Sequence, residues 1–183
     1  MRKLFALTAI FSLFSFSAFA EPICSTSSYR NVLPSKDFKF GSTKSEVKSY
    51  MKKNFGNIII FQDNDEALTF RPQSQKIFDM IKIEFRSGRA INLVYSYSNS
   101  WQSKLGGAAN AVKFFFENLQ KKAGQHDNYS PESDGGRFDW NSKDGLALRV
   151  IGKDPDTILL IFMCRALDAE LLKKQQKNVN LGF

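Results

Sequence analysis

Chemistry in this chain has few candidate carriers. Cys24 and Cys164 are the only thiols and His126 the only imidazole among 183 residues. A cysteine beside a histidine can form a nucleophile and its base, and His126-Asp127 has the residue types of an oriented imidazole. Yet no serine stands in a nucleophile-elbow motif, and both residues fall in a polar stretch that reads as a solvated loop. Asp63, Asp65 and Glu66 open like a calcium loop, which needs Gly at its sixth position and Glu at its twelfth. Positions 68 and 74 are Leu and Ser, so a turn is the better reading. Gly106-Gly107 lacks the spaced glycines and the Lys-Ser/Thr of a phosphate loop. Asp134-Gly135-Gly136 has turn chemistry. One His and two Cys leave little for a metal site, and no catalytic residue, metal or cofactor is expected.

The two cysteines take their meaning from the N-terminus. Arg2 and Lys3 precede an apolar stretch at 4–16, and Ala18-Phe19-Ala20 forms an A-x-A cleavage site before Glu21. This is the pattern of an export signal. A retained anchor needs roughly 20 apolar residues, and Ser12, Ser15 and Ser17 interrupt this one. Cys24 follows Glu21-Pro22-Ile23 rather than a small residue, so lipidation is not expected. The longest later apolar run, 158–163, is strand-sized, and no transmembrane segment is expected in the mature chain. A periplasmic or secreted protein is the expectation. In such an oxidising compartment two thiols pair. A Cys24–Cys164 bond closing 140 residues stabilises by about 5 kcal/mol on the chain-entropy argument.

The elements follow from spacing. Residues 21–35 read as an irregular arm and 37–41 as a short strand. Thr43-Lys44-Ser45-Glu46 has the form of a capping box, and the spacing predicts a helix over 43–55 ended by Gly56. Strands are expected at 57–62 and 67–71, then a hairpin from 79–85 and 91–97. A two-residue Ser87-Gly88 loop would set Ile83 opposite Asn92. A three-residue loop at 86–88 sets Ile83 opposite Ile91 and Ile81 opposite Leu93, and this register, apolar against apolar, is the expected one. Residues 98–107 read as a loop, 108–123 as a helix with Val112, Phe115, Phe116 and Leu119 in its buried stripe, and 125–136 as a polar loop. Three strands follow at 137–141, 146–152 and 157–165. The run Ile158-Leu159-Leu160-Ile161-Phe162-Met163 is apolar on both faces, which predicts a central strand covered on two sides. A short helix at 167–177 precedes the tail.

Surface recognition is the remaining kind of function. The formal net charge is +8, of which the signal contributes Arg2 and Lys3. Lysines are dispersed, so nucleic-acid binding is not expected. Lys48, Lys52 and Lys53 form a stripe that could steer an acidic partner. Tyr95, Tyr97, Trp101 and Trp140 are the candidates for an aromatic binding surface; core membership is the competing reading, since Tyr95 and Tyr97 share a face with Ile91 and Leu93.

Phe40-Gly41-Ser42-Thr43-Lys44-Ser45-Glu46-Val47 resembles the G-x-T/S-x-x-E/Q-V opening of the SmpA/OmlA-type outer-membrane assembly domains. The resemblance spans eight residues. It implies helices laid against one face of an antiparallel sheet, as in the tandem β-lactamase-inhibitor-protein fold those domains resemble, and a non-catalytic surface that binds another protein. No functional residue is carried over. Members of the assembly type are usually lipoproteins, and Cys24 departs from that pattern.

The expectation is therefore an α+β protein: a signal at 1–20, an arm at 21–35, one domain at 36–166 and a C-terminal helix and tail at 167–183. The alternation of helix and strands suggests two units, 40–97 and 98–164, without identities between them. The expected function is an exported, non-enzymatic protein that binds another protein, an inhibitor or immunity factor. The alternatives are an envelope hydrolase using only carboxylates and a peripheral component of envelope assembly.

Overall fold

The structure, a computed structural model, describes Cys24 and residues 38–73, 77–132, 135–142, 145–153 and 157–180. The segments read as a signal at 1–20 and, apart from Cys24, as an arm at 21–35 lie outside the described residues. The element order is α1 (Lys44–Phe55), β1 (Ile58–Asp63), β2 (Ala67–Pro72), β3 (Phe78–Arg86), β4 (Arg89–Tyr97), α2 (Asn99–Lys104), α3 (Ala108–Ala123), β5 (Asn128–Glu132), β6 (Gly135–Asn141), β7 (Leu146–Lys153), β8 (Thr157–Cys164) and α4 (Arg165–Asn180). The fold is α+β. All eight strands form one antiparallel sheet in the order β1-β2-β3-β4-β8-β7-β6-β5. Each half is a meander, and the two meanders meet where β4 pairs with β8.

Helix α1 starts where its sequence dictates. The Thr43 hydroxyl accepts from Glu46 N and the Glu46 carboxylate accepts from Thr43 N at 2.7 Å, so two orphan donors are satisfied. Val47, Met51 and Phe55 fall on one face and are buried. They join Phe70, Ile81, Ile83 and Leu93 in the core, while Ala111 and Leu119 of α3 join it from the other half with Leu148, Val150, Leu160 and Phe162. Both helices thus pack on the same face of the sheet.

Several local expectations are corrected. The β3–β4 hairpin turns on two residues, because Ser87 and Gly88 both hold positive φ, 49° and 71°, as a type I′ turn requires. Arg86 therefore pairs with Arg89. An extra residue in β4 then restores apolar matching: Phe85 faces Ala90 but Glu84 faces Asn92, and beyond this bulge Ile83 pairs with Leu93 and Ile81 with Tyr95. The buried face is the expected one, two residues off in register. No strand forms at 38–41; Phe40 and Gly41 turn, and Thr43 makes a single bridge to Arg89. The segment 98–107 contains the short helix α2, capped by Ser98. The segment 125–136 contains β5 and the start of β6. The last helix begins at Arg165, directly from β8.

Cys24 and Cys164 are bonded, with Cα atoms 5.7 Å apart, and both are buried. The arm is thereby tied to the end of β8, a strand with sheet on both sides. Among the described residues no helix is long and apolar enough to cross a membrane.

Candidate functional site

Alternation along the strands sorts the sheet into two unlike faces. Ile81, Ile83, Leu93, Tyr95, Leu160 and Phe162 point toward α1 and α3 and are buried. Their neighbours point the other way. At the centre of that second face Val94 lies opposite Ile161, Asn92 opposite Met163 and Ser96 opposite Leu159, and Leu159 in turn lies opposite Ile151 of β7. Val94, Ile151, Leu159, Ile161 and Met163 are each half-buried. The central position expected for 158–163 is correct, and its second side is half-buried rather than fully covered.

Charged residues flank this apolar row on both sides. On β3, Lys82 Nζ lies 2.7 Å from Glu84 Oε1, and Asn92 Nδ2 donates to Glu84 Oε2 at 2.8 Å. Burial opposes the charge on Glu84, but the Asn92 amide and the Lys82 ammonium outweigh it and hold its pKa below the ordinary Glu value. On β6 and β7, Arg149 donates to both oxygens of Asp139 at 2.6 and 3.4 Å, and Arg137 Nε lies 3.4 Å away. Two guanidiniums make the buried Asp139 a paired charge rather than an orphan.

At the hairpin end the same face deepens into a groove of about 1010 Å³ between α4 and the β1–β2 turn. Glu66, Lys82, Glu84, Arg86 and Asp168 are among its walls. Arg86 pairs with Asp168, and Gln175 Nε2 donates to Ser87 Oγ at 3.0 Å, so α4 is fastened across the hairpin tip. A carboxylic acid that donates a proton near neutrality needs a raised pKa. Glu84 is shifted the opposite way and stands in the groove as a charged acceptor.

The sequence-predicted residues do not gather on either feature. Tyr95 is fully buried, its ring 5.0 Å from Phe78 and 6.4 Å from Phe162. Tyr97 is buried between Phe78, Trp101 and Phe115; burial, reinforced by Tyr95, pushes its phenol well above the ordinary value. Trp140 is buried, and its indole N–H donates to Gly124 O at 2.9 Å. Trp101 is half-buried against the same core. The competing reading, core membership, is the one these positions fit: Tyr95, Tyr97 and Trp140 share the helix-facing parity of Leu93 and Leu148, and Trp101 of α2 packs half-buried against them. The lysine stripe divides as well. Lys48 pairs with Asp63, holding the Asp63 carboxyl below its ordinary pKa through that hydrogen bond. Lys52 and Lys53 are exposed in the last turn of α1, with no ion pair among the described residues.

His126 is not a free loop residue. Its ring meets Phe116 and Phe138 at 5.4 Å each and Trp140 at 6.0 Å. Asp127 turns instead to Asn141, accepting from its backbone N at 2.5 Å and its side-chain amide at 3.0 Å. The apolar row at 94, 151, 159, 161 and 163 went unread as a site, although the two-faced run at 158–163 was its signal. No protein-family model, curated protein or solved structure matches the chain.

Proposed function

We propose that this chain is a non-enzymatic binding protein that engages another protein across the sheet face opposite α1 and α3. One observation carries the reading. A half-buried apolar row spans three neighbouring strands, bounded by fixed charge pairs, and this is the arrangement of a hydrophobic interface centre within a polar rim. The net charge left without Arg2 and Lys3 of the signal, +6, favours an acidic partner. The buried cystine supports a life in an oxidising compartment, periplasmic or extracellular, reached by way of the N-terminal signal. Inhibition or neutralisation of the captured protein is the activity that suits a preformed sheet face.

The purified protein, used as bait on an extract of its own compartment, should retain one stoichiometric partner. Ile161→Glu and Val94→Glu place a charge in the row without touching the helix-side core, and each should weaken capture by about tenfold or more. Glu84→Gln and Asp168→Asn should change it only a few-fold. Capture unaltered by both row variants, with the fold and cystine intact, would place the binding surface elsewhere. A catalysed turnover lost with Glu84→Gln would establish the hydrolase alternative.

A further inference from the structure

Strand β1 is the end strand of the sheet. Among the described residues its outward backbone N–H and C=O groups face no strand. Five of its six residues are exposed, and Ile59, Ile60 and Phe61 are 43%, 43% and 58% exposed. An apolar edge with neither Lys nor Pro in it is a template for another strand. One irregularity interrupts it, a bulge that leaves Phe61 between the pairs Ile60–Phe70 and Gln62–Thr69. The Arg71 guanidinium lies 5.5 Å from the centre of the Phe61 ring.

Charge along this edge has a direction. At the far end of β1, Lys44 lies 3.4 Å from Asp63 and 3.8 Å from Asp65, and the Asp65 side chain is fully exposed. Only Gly56 and Asn57 separate α1 from the near end of β1, so Lys52 and Lys53 of the last helical turn stand there, exposed. At that far end three carboxylates, Asp63, Asp65 and Glu66, stand against two ammoniums, Lys44 and Lys48, which also pairs with Asp63, so it is the more acidic end of the edge, and the end beside Lys52 and Lys53 is the basic one. A parallel neighbour with the same sequence would set like charges together. An antiparallel copy sets each basic end against the other's acidic end.

We propose that β1 pairs antiparallel with β1 of a second copy of this chain, centred on Ile59, Ile60 and Phe61, so that two sheets continue across a twofold axis. Such a contact is isologous and uses up both β1 edges. The edges that remain belong to β5, where Pro131 offers no N–H. Assembly stops at two.

Sedimentation velocity of the purified, disulfide-bonded protein from about 1 to about 100 μM tests this, and should show a monomer–dimer equilibrium with amide exchange at 58–63 slowing as concentration rises. Ile60→Lys should raise the dimer Kd by about tenfold or more. The pair Lys52→Glu/Lys53→Glu should also raise it, and adding Asp65→Lys should bring it back, a rescue that damage to α1 would not permit. If Ile60→Lys does not fold, the charge exchange and its rescue decide. A monomer at every concentration, mass that grows without limit, or a dimer indifferent to the folded variants would overturn the proposal.

Discussion

Strands β1 and β5 occupy equivalent places at opposite ends of one sheet and are built from unlike residues. β1 reads Ile58-Ile59-Ile60-Phe61 and leaves its side chains in water. β5 reads Asn128-Tyr129-Ser130-Pro131-Glu132 and contains a proline, which cannot donate to a further strand. Tyr129 is itself 54% exposed, yet its ring is stacked on Phe138 at 4.7 Å. It also covers Gly136, where an added Cβ would come within 3.2 Å of the tyrosine ring. The aromatic of β5 is occupied by its own sheet, as in aromatic cover of a strand glycine. Exposure of an apolar side chain is thus a poor measure of stickiness; what the backbone beside it can still donate decides.

The contrast can be tested at descending strength. Cys24→Ala/Cys164→Ala should cost up to about 5 kcal/mol. Because the β4–β8 ladder joins the two meanders, urea unfolding followed by exchange at 58–63 and at 128–132 should show both edges lost together. Separate transitions would mean that each edge belongs to its own folding unit. Thr43→Ala should cost about 1 kcal/mol by removing the α1 cap. Exchange should quicken in β1, which α1 braces through the Lys48–Asp63 pair, and stay unchanged in β5. The smallest effect is that of acid. Glu46 is held below its ordinary pKa by the Thr43 backbone N–H, Asp63 by Lys48 and Glu84 by Asn92 and Lys82 against its burial. Depressed folded pKa values mean that their contribution is present above the ordinary values of about 4.5 for Glu and 3.8 for Asp. It is lost as pH falls below these and through the lower folded values. Glu46 and Asp63 are solvent-screened, so the loss should be slight. Amide shifts in α1 and β1, followed by NMR from pH 6 to about 2, should report it.

How much the residues disclosed depended on where each element's instructions lie. The capping box of α1, the stripe of α3 and the two-faced run of β8 are local patterns and could be read directly. The cystine followed from there being one possible pair. β5 was hidden because an edge strand with a proline has neither alternation nor β-branched content. The hairpin register escaped because it rests on a positive φ at Ser87, unusual for serine, and on a compensating bulge at Ile91. The candidate site was the least legible. Parity showed that Tyr95 and Tyr97 lie with Leu93, but only the position of the helices settles which parity is the core. The row is assembled from three strands, and β8 holds three of its members while Val94 and Ile151 come from β4 and β7, with the flanking Asp139 from β6.

Strand β8 is eighth in the chain and fifth in the sheet. Until it is in place β4 and β7 are bare edges, and no ladder joins the first meander to the second. A chain emerging from the N-terminus can complete the first meander but neither the second nor the molecule, and the missing β4–β8 contacts join residues far apart in sequence, which pair slowly. Completion therefore waits for residues 157–164. The second cysteine of the cystine is the last residue of β8, so the bond fixes the same strand that fills the gap. The order of the strands acts as a timer, and the cystine as the latch that closes when it has run.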